Sequence, residues 1–134
     1  MITQKTNSYS RTEKLKSRKL IDEVFTKGKS LAVFPLRAFY IFPTLPIDNI
    51  VKAGVGTSTK NFKKAVHRNK VKRMLREAYR KNKEILNIIC EEKKIQLAVF
   101  FLFTGKEIPA YNVIESTMKI LLEKLSNEVV FKNR

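Results

Sequence analysis

Apolar residues recur along this chain in two rhythms, and each change of rhythm marks a change of element. From Ser17 to Gly28 (SRKLIDEVFTKG) the spacing is helical. Leu20, Val24 and Lys27 share one face and Ile21 and Phe25 the neighbouring one, with Ser17 placed to cap the start and Gly28 the end. The pattern then becomes that of strands. Leu31 to Phe34 is short and ends at Pro35; Leu36 to Phe42 is aromatic and β-branched and stops at Pro43. After a loop over 44–49, Ile50 to Thr57 forms a further strand. Val51, Ala53 and Val55 point one way in it, Gly54 and Gly56 the other, so something packs closely on the glycine side.

Ser58 to Asn61 leads into a second helix, with Thr59 or Asn61 as its N-cap. At about 100° per residue, Val71, Met74, Leu75 and Ala78 fall on one arc. The helix either runs on through Ile85, Leu86 and Ile89 or breaks near Asn82, and Glu91 to Lys94 reads as a charged turn. Ile95 to Phe103 is apolar almost throughout, as a central strand buried on both faces would be. After a loop over 104–109, Pro109 or Ala110 opens a last helix. Its predicted apolar face holds Val113, Thr117, Ile120 and Leu121, with Ile114, Met118 and Leu125. The order predicts an α+β fold: an αβ sandwich around a four-stranded, mostly antiparallel sheet. It forms one domain over residues 14–128, with a flexible basic arm over 1–13 and a fraying tail over 129–134.

Charge sharpens this picture. The 134 residues carry 28 Lys and Arg against 12 Asp and Glu, a formal charge of +16. Between Lys60 and Lys83 stand eleven Lys or Arg and one acid, Glu77, so this stretch supplies +10. Arg68, Asn69, Lys72, Arg73, Arg76 and Arg80 form a second arc beside the apolar one, flanked by Lys60, Lys63 and Lys64. Like charges four apart repel by a few tenths of a kcal/mol each, so a polyanion is expected to supply the countercharge. Phe25, Phe39 and Tyr40 lie on neighbouring elements; they either stack unpaired bases or belong to the core.

Other chemistry finds little support. His67 is the only histidine and Cys90 the only cysteine, the acids are scattered, and no His/Cys cluster suits zinc. GVGTSTKN lacks the spacing of a phosphate loop, although it ends at a helix N-terminus that favours phosphate. One cysteine cannot form an internal disulfide, and the longest apolar run, Leu97 to Phe103, is far short of a membrane span. A soluble cytoplasmic protein is expected, with neither a membrane nor a small-molecule substrate as partner.

KAVHRNKVKRMLREAYR resembles the central helix of the bacterial ribonuclease P protein subunit. Arg68, Asn69 and Lys70 stand at that family's Arg-Asn-Arg core, followed by Lys72-Arg73 and Arg76-Glu77. The lysine-rich turn before it matches through Lys60, Lys63, Lys64 and Ala65. The preceding strand fits through Gly54, Val55 and Thr57, and LKSRKLIDEVFTKGKS is similar to the family's first helix. The resemblance covers residues 15 to 125. It implies a left-handed β-α-β crossover around the basic helix, and a ribonucleoprotein that removes the 5′ leader of precursor tRNA. Catalysis and Mg²⁺ would reside mainly in the RNA subunit. By position, Lys63, Lys64, Arg68, Asn69, Lys70, Lys72, Arg73 and Arg76 would contact that RNA. Ile21, Phe25, Phe39, Ser58 and Lys60 would line a cleft for the leader. No catalytic or metal-ligating residue is implied in the protein. Lys70 in place of Arg keeps the charge and loses the bidentate fork, and Ile21 replaces an aromatic. Thr59 stands where a lysine is common. The competing readings are a structural RNA-binding protein of ribosomal type and a stand-alone nuclease.

Overall fold

Local signals set the first helix as expected. In this computed structural model, which describes residues 9, 11–44, 46–47 and 49–132, α1 spans Arg18–Lys27. The Ser17 hydroxyl accepts from the Leu20 N–H at 3.3 Å, and the Gly28 N–H donates to the Val24 carbonyl at 3.1 Å. A Cβ on Gly28 would stand 2.3 Å from that carbonyl and 2.5 Å from that of Tyr40, so only glycine fits this turn. Four strands follow the hydrophobic alternation: β1 (Lys29–Val33), β2 (Leu36–Ile41), β3 (Val51–Thr57) and β4 (Leu97–Phe103). They order as β1-β2-β4-β3. Two pairings are antiparallel; β3 and β4 run parallel, as the long helical connection between them requires.

That connection is two helices, α2 (Ala65–Asn82) and α3 (Glu84–Lys93). The break at Lys83 settles one of the two alternatives for where the basic helix ends. Neither Thr59 nor Asn61 caps α2: Lys64 holds that position, without a side-chain hydrogen bond. The turn before it is closed instead by Ser58, whose carbonyl accepts from Asn61 and Phe62 and so drives Phe62 into the core against Phe103. The predicted turn at Glu91–Lys94 is also corrected. Glu91 to Lys93 stay helical, and only Lys94 turns, in the left-handed region at φ 56°. The last helix, α4, spans Tyr111–Lys132.

The sheet is covered on both faces. Leu36, Ala38, Tyr40, Val51, Ala53, Leu97, Val99, Phe101 and Phe103 pack with α2, α3 and α4 in the main core. The other face carries α1, with Val24, Leu15 and Ala98 buried and Phe39, Ile41 and Phe100 half-buried. Val113 and Ile120, predicted on the buried face of α4, are exposed; that face continues instead through Leu122, Ser126 and Val129. The tail predicted from residue 129 is therefore corrected: α4 runs on to Lys132 with Val129 fully buried.

The predicted arm is corrected as well. Arg11–Glu13 form a short 3-10 turn. The Tyr9 hydroxyl donates to the Ala53 carbonyl, and the Leu15 N–H donates to the same oxygen at 2.9 Å. These bonds occupy the outer edge of β3, which would otherwise present free backbone groups. Glu13 is buried and forms an ion pair with Lys83 at the α2–α3 break. The ordered domain thus begins no later than Tyr9; residues 1–8 and 10 of the expected arm lie outside the described residues.

Candidate nucleic-acid interface

The buried stripe of α2 is Val71, Leu75, Ala78 and Tyr79, which turns its basic arc outward. Lys63, Lys64, Asn69, Lys70, Arg73 and Arg76 are exposed, and Lys72 is half-buried. Among the described residues no acid pairs with any of these cations. Glu77, the single acid of the helix, is held by Arg80 through bonds of 2.9 and 2.8 Å, with Lys81 at 3.8 Å. The Arg80 hydrogen bond lowers the carboxyl pKa of Glu77 below its ordinary value. The acid is thus engaged at the C-terminal half of α2, and the cations from Lys63 to Arg76 face outward without a countercharge.

Arg68 differs from its neighbours. It is half-buried, and its Nη1 donates to the Phe62 and Lys63 carbonyls, both at 2.8 Å. These are carbonyls of the turn that leads into α2. Arg68 therefore fastens the turn to the helix, a task that charge alone did not reveal.

On the opposite layer, aromatic rings cluster where α1 meets the sheet. The Phe25 ring lies 4.7 Å from Phe39 and 5.0 Å from Phe100, centroid to centroid, and is still 40% exposed. Ile21 is half-buried against the small core of Leu15, Val24 and Ala98. The structure thus brings Ile21, Phe25 and Phe39 together. Ser58 and Lys60 sit beyond the end of β3, where the Ser58 Oγ accepts from the Lys60 N–H at 3.1 Å. Tyr40, an aromatic candidate beside Phe39, points to the other layer: it is 2% exposed and its hydroxyl donates to Glu128 at 3.0 Å. Strand alternation sends Phe39 and Tyr40 to opposite faces.

Phe100 is the member of this aromatic cluster that sequence reasoning did not single out. It pairs in register with Gly54, and its ring covers both glycines of β3. A Cβ on Gly54 or Gly56 would stand 2.9 or 2.8 Å from that ring. The glycine pair did announce a close neighbour; only the β3–β4 register says which residue it is.

His67 is exposed on the first turn of α2. Cys90 is buried, and burial pushes its thiol up to about 12. Among the described residues no group of three or more His, Cys, Asp and Glu could hold a metal ion, and no helix is long and apolar enough to cross a membrane.

Known proteins share this arrangement. The Ribonuclease P family model matches residues 9–126. The chain is 34% identical over 129 residues to the ribonuclease P protein component of Porphyromonas gingivalis, covering 96% of this chain and 94% of that one. It is 30% identical to that of Chlorobium phaeobacteroides, covering 89% and 88%. The fold matches the RNase P protein of Staphylococcus aureus with a TM-score of 0.68 at 17% identity, over 86% of this chain and 96% of that one. It matches that of Thermotoga maritima at 0.66 and 22%, over 84% and 96%. With its ordered segment from Tyr9 onward, its two-faced sheet and its basic α2 all inside the matched span, the chain belongs to the ribonuclease P protein family.

Proposed function

We propose that this chain is the protein subunit of a ribonuclease P ribonucleoprotein and works by binding two RNAs on opposite layers of its sheet. The observation that carries the reading is the pairing of an uncompensated basic arc on α2 with a separate, partly exposed aromatic cluster under α1. Lys63, Lys64, Asn69, Lys70, Lys72, Arg73 and Arg76 contact the catalytic RNA subunit. Their cations replace condensed counterions, so affinity depends steeply on salt. Arg68 holds the turn that presents Lys63 and Lys64 to the RNA. Phe25, Phe39 and Phe100, with Ile21 beside them, take unpaired bases of the 5′ leader of precursor tRNA. Stacking of this kind is worth about 1–3 kcal/mol per base. Ser58 and Lys60 continue the track past the end of β3.

On this reading the Mg²⁺ of phosphodiester hydrolysis is held mainly by the RNA subunit; among the described residues no group of three or more His, Cys, Asp and Glu could hold a metal ion. The protein's share is to raise affinity for the leader-bearing substrate, in the cytoplasm where precursor tRNA is made. The test is cleavage of precursor tRNA by the matching RNA subunit at low Mg²⁺, with and without the protein. Stimulation yielding a mature 5′ end is expected. RNA binding without stimulation would favour a structural RNA-binding role of ribosomal type. Cleavage by the protein alone would favour a stand-alone nuclease.

A further inference from the structure

Topology gathers three loops at one end of the sheet. Val33 pairs with Leu36 across the β1–β2 turn, Leu36 with Phe103, and Thr57 with Phe103. The β1–β2 turn, the segment after β4 and the turn into α2 therefore lie side by side. At this end Phe34 is 79% exposed, more than any other large hydrophobic residue described. Single exposed apolar side chains are ordinary and need no explanation. Phe34 is distinguished by its mounting and by its neighbours.

The mounting is rigid. The carbonyl of Pro35, next to it, accepts from the Thr104 N–H at 2.8 Å and from the Thr104 hydroxyl at 3.1 Å. The Thr104 and Gly105 carbonyls accept in turn from the Asn61 side-chain amide at 3.4 and 3.3 Å. Asn61 belongs to the Ser58-closed turn that leads into α2. A chain of hydrogen bonds thus ties the backbone beside Phe34 to the turn that leads into the basic helix.

The neighbours are cationic. A depression of about 560 Å³ between Phe34 and the loop after β4 adjoins a second of about 430 Å³ that reaches Lys63 and Lys64. Lys106, Glu107 and Ile108 form the wall shared by the two. Glu107 is the one acid in the segments 29–37, 58–67 and 104–113.

We infer that this end of the molecule is a further RNA contact, in which the Phe34 ring stacks on an unpaired base of the RNA subunit while Lys106 meets the adjoining phosphate. The inference rests on the ribonuclease P reading above, because it places Phe34 on the same RNA as Lys63 and Lys64. A flat ring held in solvent beside mobile lysines suits a base with its phosphate, since any base offers a π-face and stacking costs the ring no reorganisation.

The experiment measures the affinity of the full-length chain for the matching RNA subunit across a salt series. Phe34→Ala and Phe34→Leu should weaken binding roughly 5- to 150-fold at fixed salt and leave the salt slope unchanged, because they remove stacking and no charge. Phe34→Trp should bind at least as well as the parent. Lys106→Ala should lower the slope by about one unit. Leu matching the parent would overturn stacking. A loss seen only for precursor tRNA would move the contact off the RNA subunit and overturn the inference. So would unchanged RNA affinity with loss of a self-associated form in sedimentation, which would make Phe34 a copy-to-copy contact. Failure of the parent chain itself to bind the RNA subunit would instead sink the ribonuclease P reading.

Discussion

A single methyl group at position 54 tests how the aromatic cluster beneath α1 is seated. In Gly54→Ala the new Cβ would stand 2.9 Å from Cδ2 and 3.2 Å from Cε2 of Phe100, with the Leu15 Cβ at 3.4 Å on another side. Ordinary carbon contacts begin near 3.5 Å, so the ring must move outward by roughly half an ångström. Phe25 stands in its way at 5.0 Å. Overpacking of this kind costs about 1–3 kcal/mol. Replacing a strand glycine returns about 0.5–1 kcal/mol by restricting the unfolded chain. The net loss is about 0–2.5 kcal/mol, or up to roughly 9 °C in Tm for a domain of this size. The assay is thermal and urea unfolding of Gly54→Ala, Phe100→Leu and the double variant. With the smaller Leu the collision disappears, so the double variant should recover at least about 1 kcal/mol relative to additivity. Precursor tRNA affinity should fall with the displaced ring, while RNA-subunit affinity stays. Unchanged Tm together with additivity within about 0.5 kcal/mol would refute the claim that Phe100 is seated on the glycines.

Further expectations follow from the same geometry. Phe25→Ala should weaken binding of leader-bearing precursor by roughly 5- to 150-fold and leave mature tRNA nearly unaffected; equal losses for both would make Phe25 core only. Arg73→Ala should lower the salt slope of RNA-subunit binding by about one unit at unchanged stability. Arg68→Ala should instead cost about 1–3 kcal/mol in unfolding, since it removes the donor to the Phe62 and Lys63 carbonyls, and leave the salt slope nearly unchanged. Glu13→Ala should destabilise by about 3–5 kcal/mol, because it removes the carboxylate paired with the buried Lys83, while Glu13→Leu with Lys83→Met should recover much of it. Burial pushes Tyr9, Tyr40 and Cys90 each up to about 12. The folded chain therefore keeps protons that the unfolded chain releases from about pH 9 upward. Tm should stay level below that point and fall as pH rises toward 12, less steeply in Tyr40→Phe; a Tm flat to pH 12 would contradict these shifts.

What the sequence disclosed and what it hid divide along a physical line. Features set by neighbours in the chain were legible: the Ser17 cap, the Gly28 stop, the alternation of β2 and β3, and the apolar stripe of α2. The basic arc was legible because helical periodicity alone sorts it. Features set by partners far along the chain were not. Lys83 breaks the helical pattern where it pairs with Glu13, seventy residues away. The polar stretch before Lys14 looked like a free arm because hydrogen bonds to the edge of β3 leave no mark in its composition. Phe100 sat unremarked in an apolar run in which every residue looked equally buried, until the register of β3 and β4 placed it over two glycines. Arg68 counted as one cation among many, and only its two carbonyl partners separate it from Arg73.

Strand β3 is where these threads meet. Its glycines make the floor on which Phe100 rests, so the aromatic cluster lies on the α1 layer. Its chain then leaves the sheet through the Ser58 turn into α2, on the other layer, where the basic arc lies. On the proposed reading, an RNA held by α2 is therefore a fixed number of residues from the aromatic cluster, and the turn between them is stiff. Ser58 closes it, Asn61 ties it to the end of β4, and Arg68 clamps it to the helix. A subunit that contributes position rather than reacting groups needs this property above others. If the turn flexed, binding energy at α2 could not be transmitted into alignment of the leader. Loosening the turn by Asn61→Ala, which removes only its amide bonds to the Thr104 and Gly105 carbonyls, should then cost more in cleavage of bound precursor than in affinity for either RNA alone. An equal effect on all three would mean that the two surfaces act independently.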